Sequence, residues 1–392
     1  MKRNHRRWLA LGVLLCLLLG CCGCTGSDAS DDAGQDAVAT LAAVGDIYLT
    51  TPMLVDARAA DGSYDFGALF SCVVPALCAA DVTIGNFEGC FAGAPYGQTE
   101  GSYPDDLAAA LCSAGFDLLQ TANSFSIHNG ISGLERTRSI LLGQQLIPLG
   151  TYTSQDERKE EKAILLEING IRFVFIAFTK GLNGMSIPSG SEYCVNLLYR
   201  DYDSTYSKID YDAIDEILDA ARKLEPDVIV AALHWGSENI SEVSESQETI
   251  ADYLFRNDVD VILGSHSHIA GEIEERTVTT SSGEEKTVVA AYSLGDFCSA
   301  EVGEVNASLI LQLEFTRSAE SGRTVISDVS YTPIATADLG EGNTERFAVL
   351  NIDDAISLYE NNYYARVSED VYEALLAQRE ALAARVEPTE AE

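Results

Sequence analysis

His266 and His268 stand one residue apart, directly after the short apolar run Val259–Leu263. That β-branched run predicts a buried strand, stopped by Gly264 and Ser265. Two imidazoles just past a strand end can turn toward a common point, and neutral imidazole is a ligand for zinc, manganese or iron. An isolated H-x-H reads equally well as two exposed loop histidines. The same arrangement recurs, however. Asp46 follows Thr40–Val44, Asn86 and Glu88 follow Asp81–Ile84, and Asn123 follows Phe116–Leu119. His234 follows Asp227–Leu233, and Asp296 follows Val288–Ser293. Asp46, Glu88, Asn123, His234, His266 and His268 form a mixed oxygen and nitrogen set, suited to one or two divalent ions (Mn, Zn or Fe) rather than to a thiolate zinc site. A pair of such ions would clamp a phosphoryl or acyl group and activate water against it. Taken singly, Asp46 or Asn86 reads equally as a helix cap or turn former. The chain has five histidines, and three of them follow strand ends, which points to metal. Asn86 and His128 are the candidates for a catalytic role, although His128, before Asn129-Gly130, also reads as an exposed loop residue.

Helical patterns separate several of these runs, at Pro104–Ala114, Gly133–Leu142, Tyr211–Lys223 and Gln247–Arg256. Alternation of this kind predicts βα units, an α/β fold and a largely parallel sheet. In open α/β sheets the site lies beyond the carboxyl ends of the strands, so the polar tips are expected along one edge. Ala163–Ile168 and Ile171–Phe178, joined by Asn169-Gly170, predict a hairpin with a type I′ turn, and therefore a mixed sheet or two sheets. The loop Gly181–Gly190 could border the site. Leu309–Phe315 and Thr324–Tyr331 read as closing strands. Ser368–Val386 reads as a C-terminal helix capped by Ser368, with Glu369 and Asp370 placed favourably for the helix dipole. No G-x-S-x-G elbow, P-loop or Rossmann fingerprint is present.

The formal net charge is −36 over 392 residues, with 46% hydrophobic content, enough for one large domain or two modest ones. So acidic a chain is not expected to bind nucleic acid or to dock on anionic lipid through a basic patch. It would also repel a polyanionic substrate unless metal or local Lys and Arg offset the field. Lys2, Arg3, Arg6 and Arg7 form a basic n-region before the apolar stretch Trp8–Leu19, and Leu18-Leu19-Gly20-Cys21 resembles a bacterial lipobox. Lipidation of Cys21 would anchor an exported protein to the membrane; ordinary cleavage or an uncleaved anchor are the competing readings. The expected organisation is a lipoprotein signal peptide at 1–20, a flexible acidic tether at 21–39, an α/β body at 40–340 and a C-terminal helical segment at 341–392. Of ten cysteines, six lie beyond the leader and its edge, without C-x-x-C or zinc-finger spacing. Most of the six sit among apolar neighbours and read as buried small hydrophobes; a Cys72–Cys78 disulfide is possible.

Six stretches in order carry a resemblance: GDIYLT (Gly45–Thr50), IGNFEG (Ile84–Gly89), TANSFSIHNGISGLERT (Thr121–Thr137), HWGSE (His234–Glu238), GSHSHIAGEIE (Gly264–Glu274) and YSLGDF (Tyr292–Phe297). Together they resemble the CapA-like family of poly-gamma-glutamate capsule biosynthesis proteins, from about Leu41 to Cys298. The family is similar to the calcineurin-like metallophosphoesterases, which implies an α/β/β/α sandwich with mixed sheets and a dinuclear site. Asp46 matches the first metal-binding Asp, Glu88 the acid of G-N-L-E and Asn123 the first Asn of A-N-N-H. His234 matches the His of H-W-G, and His266 and His268 those of H-P-H. Phe125 stands where the family has the His of N-N-H, and His128 where it has Asp. Ser124 replaces the second Asn, Ser267 the Pro, and Asp296 the Asn of Y-S-L-G-N-F. The resemblance implies a cell-surface metal-dependent hydrolase or transferase acting on a capsule or envelope polymer or a small phosphoester. The departure at Phe125 favours instead a non-catalytic assembly factor that keeps the metal. A solute-binding lipoprotein is the third reading, against which the histidine tips argue.

Overall fold

In the computed structural model, which describes residues 34–94, 96, 101–341, 343, 345–363 and 366–386, the chain builds two sheets. The expected signal peptide and the tether as far as residue 33 lie outside the described residues. β1 (Ala37–Ile47) opens the first sheet and is followed by three short helices, α1 (Thr51–Asp56), α2 (Gly67–Phe70) and α3 (Val74–Leu77). Next come β2 (Val82–Phe87), α4 (Asp106–Ala114), β3 (Leu118–Gln120), α5 (Gly130–Gly143), β4 (Ile147–Leu149) and α6 (Gln155–Glu161). The hairpin β5 (Ile164–Ile168) and β6 (Ile171–Thr179) enters the second sheet, which continues through α7 (Tyr211–Arg222), β7 (Val228–His234), α8 (Glu245–Arg256) and β8 (Val261–Ser265). β9 (Ile273–Thr279) and β10 (Glu285–Ala291) complete it. The chain then returns to the first sheet with β11 (Asp296–Cys298), β12 (Val305–Arg317), β13 (Thr324–Asp338) and β14 (Phe347–Asn351), and ends in α9 (Ile352–Glu360) and α10 (Glu369–Val386).

The first sheet runs β14-β13-β12-β1-β2-β3-β4, with β11 pairing alongside the end of β1; the second runs β5-β6-β7-β8-β10-β9. Both are mixed. β1 to β4 are parallel neighbours, as are β6, β7, β8 and β10, whereas β12, β13, β14, β5 and β9 pair antiparallel. Side chains alternate across each strand, and this alternation makes the layers. Phe173, Phe175 and Ala177 of β6 face Leu41 and Ala43 of β1 and Leu311 and Leu313 of β12 in the core between the sheets. Val174, Ile176 and Phe178 point the other way, onto Ile214, Leu218, Ile250 and Leu254 of α7 and α8. The outer face of the first sheet is covered by Leu69, Phe70, Leu107 and Leu111 of α2 and α4. The result is the expected α/β/β/α sandwich.

Several element boundaries differ from the sequence reading. β1 begins at Ala37, inside the segment expected to be a tether, because its pairing with β12 extends to Ala37 opposite Arg317. The segment from 341 onward is not helical throughout. β14 is buried over Phe347–Leu350, where it pairs with β13 as the edge of the first sheet. β9 alternates exposed polar residues (Glu275, Thr277, Thr279) with half-buried ones, so it carries no apolar run to reveal it. The hairpin turn is as expected, with positive φ at both Asn169 (51°) and Gly170 (82°). Ser368 Oγ accepts the Val371 N–H at 3.3 Å and so caps α10. Cys72 and Cys78 do not form a disulfide with each other, and Cys78 and Cys112 are exposed rather than buried. No helix among the described residues is long and apolar enough to cross a membrane.

Candidate metal centre

The strand ends carry the polar tips to one place. In the first sheet Asp46 of β1 pairs level with Asn86 of β2 on one side and Asp296 of β11 on the other. Glu88 is the first residue beyond β2, and Asn123 lies in the loop after β3. In the second sheet His234, the last residue of β7, pairs level with Ser265, the last of β8, and His266 and His268 occupy the turn that follows. Both histidines have positive φ, 94° and 61°. Such backbone is rare outside glycine and costs about 1–3 kcal/mol per residue, so it persists only where the surroundings over-determine it. Here they do. His266 N–H donates to Asp46 Oδ2 at 3.0 Å, and Ser267 Oγ donates to Ile269 O at 2.7 Å and is hydrogen-bonded to Ser293 Oγ at 2.8 Å. Asn239 N–H donates to Ser267 O at 2.9 Å.

Two groups of ligand atoms result. Those of Glu88, His234 and His266 lie within 4.8 Å of one another, and so do those of Asp46, Glu88 and His268. Glu88 is common to both, so one carboxylate stands between two sets of partners. The imidazoles of His234 and His266 are 4.5 Å apart, centre to centre. Asp46, Glu88 and His234 are fully buried. Buried Glu88 Oε2 and His266 Nδ1 have no hydrogen-bond partner among the described residues. Buried polar atoms are almost always paired, because leaving one bare costs about 1–3 kcal/mol. A donor set of carboxylate oxygens and imidazole nitrogens with unused acceptors fits divalent cations.

The charge balance agrees. Burial pushes the Asp46 carboxyl up to about 6, with the Asp296 charge adding to this and His268 and Asn86 opposing it. Burial and then Asp46 hold Glu88 well above the usual carboxylate range. Burial, followed by the other cationic groups, holds His234 well below its ordinary value and brings His266 down to about 3. Both are therefore neutral, the form that binds metal. For His268, burial also pushes downward, but the hydrogen bond and charge of Asp296, with Asp46 and Glu88, outweigh it and carry the imidazole up to about 10. Asp296, Asp46 and Glu88 thus all favour the charged form of the His268 imidazole.

The remaining expected residues fall around this pair. Asn86 Nδ2 donates to Asp46 Oδ1 at 2.6 Å and lies 3.3 Å from His234 Nδ1, so it orients two of the ligands. Asn123 Nδ2 donates to Phe87 O at 2.6 Å and to Asn86 Oδ1 at 3.2 Å, and its Oδ1 accepts the Phe125 N–H at 3.0 Å. His128 is half-buried outside both groups; its ring is 5.1 Å from that of Phe125, and its Nδ1 has no partner among the described residues. Phe125 is buried against Tyr48, whose ring is also 5.9 Å from that of His268.

Four contributors were absent from the expected set. Asp296 Oδ1 is 2.8 Å from His268 Nδ1, a carboxylate–imidazole contact that orients the ring. Its position after a strand end was the available signal. Ser265 Oγ and Ser124 Oγ lie 3.1 and 3.0 Å from the two nitrogens of His234. Lys180 N–H donates to His234 O at 2.8 Å. No spacing rule marks such hydroxyls or lysines in a sequence. A cavity of about 430 Å³ lies elsewhere, lined at the opposite ends of β7 and β8 by Asp227, Asp258 and Asp260. Its charged groups are largely paired with one another: Arg222 with Asp258, Lys286 with Asp260.

The model of the family described as "Bacterial capsule synthesis protein PGA_cap" matches residues 40–301. The chain is 24% identical over 280 residues to a PGA biosynthesis protein CapA of Bacillus subtilis (strain 168), covering 67% of this chain and 64% of that one. It is 25% identical over 197 residues to a capsule biosynthesis protein CapA of Bacillus anthracis, covering 50% and 43%. It thus spans less than two thirds of the length of these curated relatives. Among solved structures it is similar to a phosphatase of Mycoplasma pneumoniae, with a TM-score of 0.46 at 11% identity, covering 77% of this chain and 95% of that one. A putative 5'-nucleotidase of Staphylococcus aureus, solved with alpha-ketoglutarate, has a TM-score of 0.46 at 13% identity, covering 76% and 54%.

Proposed function

The chain belongs to the bacterial capsule synthesis protein family, and on that premise we propose that it is an exported, lipid-anchored protein with a metal-dependent hydrolase or transferase site for a capsule or envelope polymer, or a small phosphoester. The observation that carries this reading is the pair of ligand groups sharing Glu88, with Glu88 Oε2 and His266 Nδ1 left bare. In it, Asp46, Glu88 and His268 hold one divalent ion, and Glu88, His234 and His266, with Asn123 beside them, hold the other. Such ions supply Lewis-acid polarisation of a phosphoryl or acyl oxygen and a lowered pKa for water. The chain's own residues prepare the place. Asn86 fixes the Asp46 carboxylate, Asp296 fixes the tautomer of His268, and Phe125 with Tyr48 keeps one side apolar. His128, half-buried beside Phe125, is the residue assigned in this reading to give a proton to a leaving group. Anchoring through Cys21 would hold the site at the outer surface of the membrane.

Metal analysis of the purified protein, with a generic phosphodiester assay before and after chelation, tests this. Bound Mn, Zn or Fe and an activity restored by one of them are expected, with both lost in His266→Ala. Wild-type protein that is metal-free and inert with every added ion would end the reading.

A second reading is favoured by Phe125, which fills the position where the resembled family has an imidazole. In it the protein keeps the metal but serves polymer assembly without catalysis. Phe125→His separates the two: a large gain in turnover over an inert wild type favours the assembly factor, and a wild type already as fast as the variant removes it.

A further inference from the structure

The turn that carries His266 and His268 is held from a part of the chain well outside residues 40–301, the segment matched to the family. α10 (Glu369–Val386) buries Leu382 and Val386 in the core between the sheets, in the same apolar cluster as Ala270 and Leu294. From its last turn Arg385 Nε donates to Ala270 O at 3.1 Å. Ala270 lies two residues beyond His268 and bridges Leu294, which precedes Gly295 and Asp296. The approach is close: a Cβ on Gly295 would come within 2.7 Å of Ala270 N. Gly295 O in turn accepts the Asp46 N–H at 2.8 Å. One guanidinium therefore holds a carbonyl that sits against both halves of the Asp46–His268–Asp296 group.

The chain has 61 acidic residues, yet among the described residues no carboxylate pairs with Arg385, and the group it meets is a backbone carbonyl. Leu382 and Val386, on either side of it in α10, are packed in the core and hold it there. His266 and His268 meanwhile hold backbone conformations that relax unless restrained. A restraint on the far side of the turn is what such a loop requires.

We infer that α10 is a working part of the metal centre, with Arg385 as a positioning residue that fixes the His266–Ala270 turn for cation binding. This rests on the metal-binding reading above. Residues that orient ligands from behind typically change metal affinity by about 10–100-fold, and the low end applies to a contact made through the backbone. The test is titration of the metal-free protein with Co(II), read by its visible absorption, alongside thermal melting without metal. Arg385→Met is expected to weaken Co(II) binding by about tenfold and to alter the band shape, while Arg385→Lys, which keeps a donor, recovers most of the affinity. Leu382→Ala, which loosens the helix from the core, should weaken binding in the same direction. Arg385→Met that is folded and binds Co(II) with wild-type affinity and spectrum overturns the inference, as does a fall in melting temperature alone. Wild-type protein that takes up no Co(II) overturns the metal reading itself, so the two failures are distinguishable.

Discussion

Glu88 is the residue on which the site turns. Asp46 and His268 form one ligand group with it and His234 and His266 another, and its second oxygen is bare. A shared ligand has a different signature from an unshared one. Glu88→Gln is expected to leave the protein folded and to lose both ions, because an amide supplies neither the charge nor the second donor oxygen. His268→Ala is expected to lose one ion and keep the other. Metal content by mass spectrometry on proteins purified side by side decides; a Glu88→Gln protein with the wild-type complement would show that the carboxylate is not shared. This difference follows from geometry, since nothing in the types of the two residues distinguishes their roles.

At the scale of elements, the site depends on how closely β1 and β11 approach. A Cβ at Gly45 would run into Gly295 O and the Leu294 backbone, neither of which can swing away. Gly45→Ala is therefore expected to cost more than about 2 kcal/mol and to disturb Asp46, through overpacking that forces backbone shifts. Urea unfolding and a Co(II) titration should both register it, and a variant unchanged in both would contradict this geometry. α8 offers the contrast. Ser244 and Gln247 form a reciprocal capping box at its start, and the Ser244 hydroxyl meets only Ser246 and Gln247 among the described residues. Ser244→Ala is expected to cost about 1 kcal/mol in urea unfolding and to leave metal affinity where it was.

For the whole of Asp36–Glu392, acidity is the governing property, and one ion pair shows how it couples to pH. The hydrogen bonds from Arg346 hold the Asp338 carboxyl down to about 2. A depressed carboxyl contributes stability that is fully present above its ordinary value, about 4, and is lost as the pH falls through the folded value. Asp338→Asn should therefore lower the melting temperature by a few degrees at neutral pH, with the gap closing between about pH 4 and 2. A gap of equal size at every pH would assign the loss to packing instead. Acidity also bears on substrate. A chain of net charge −36 repels a polyanion, so an anionic polymer would reach this site only if cations held there locally reversed the field.

The sequence by itself determined which residue types stand at which strand ends, because apolar runs, turn residues and the Asn169-Gly170 hairpin are local signals. That was enough to select Asp46, Glu88, His234, His266 and His268 and to expect a mixed sheet or two sheets, while the sandwich with helices outside was implied by the family resemblance. It could not show that Glu88 lies between two ligand groups, that Asp296 faces His268, or that Arg385 reaches Ala270 across 115 positions. Nor did it reveal β14 or the short β11, whose places are set by pairing with distant strands. Only the tertiary structure decided these things. Strand register and sheet-on-sheet packing are made by contacts between segments far apart in the chain, and no spacing along a single segment records which of its neighbours will be beside it.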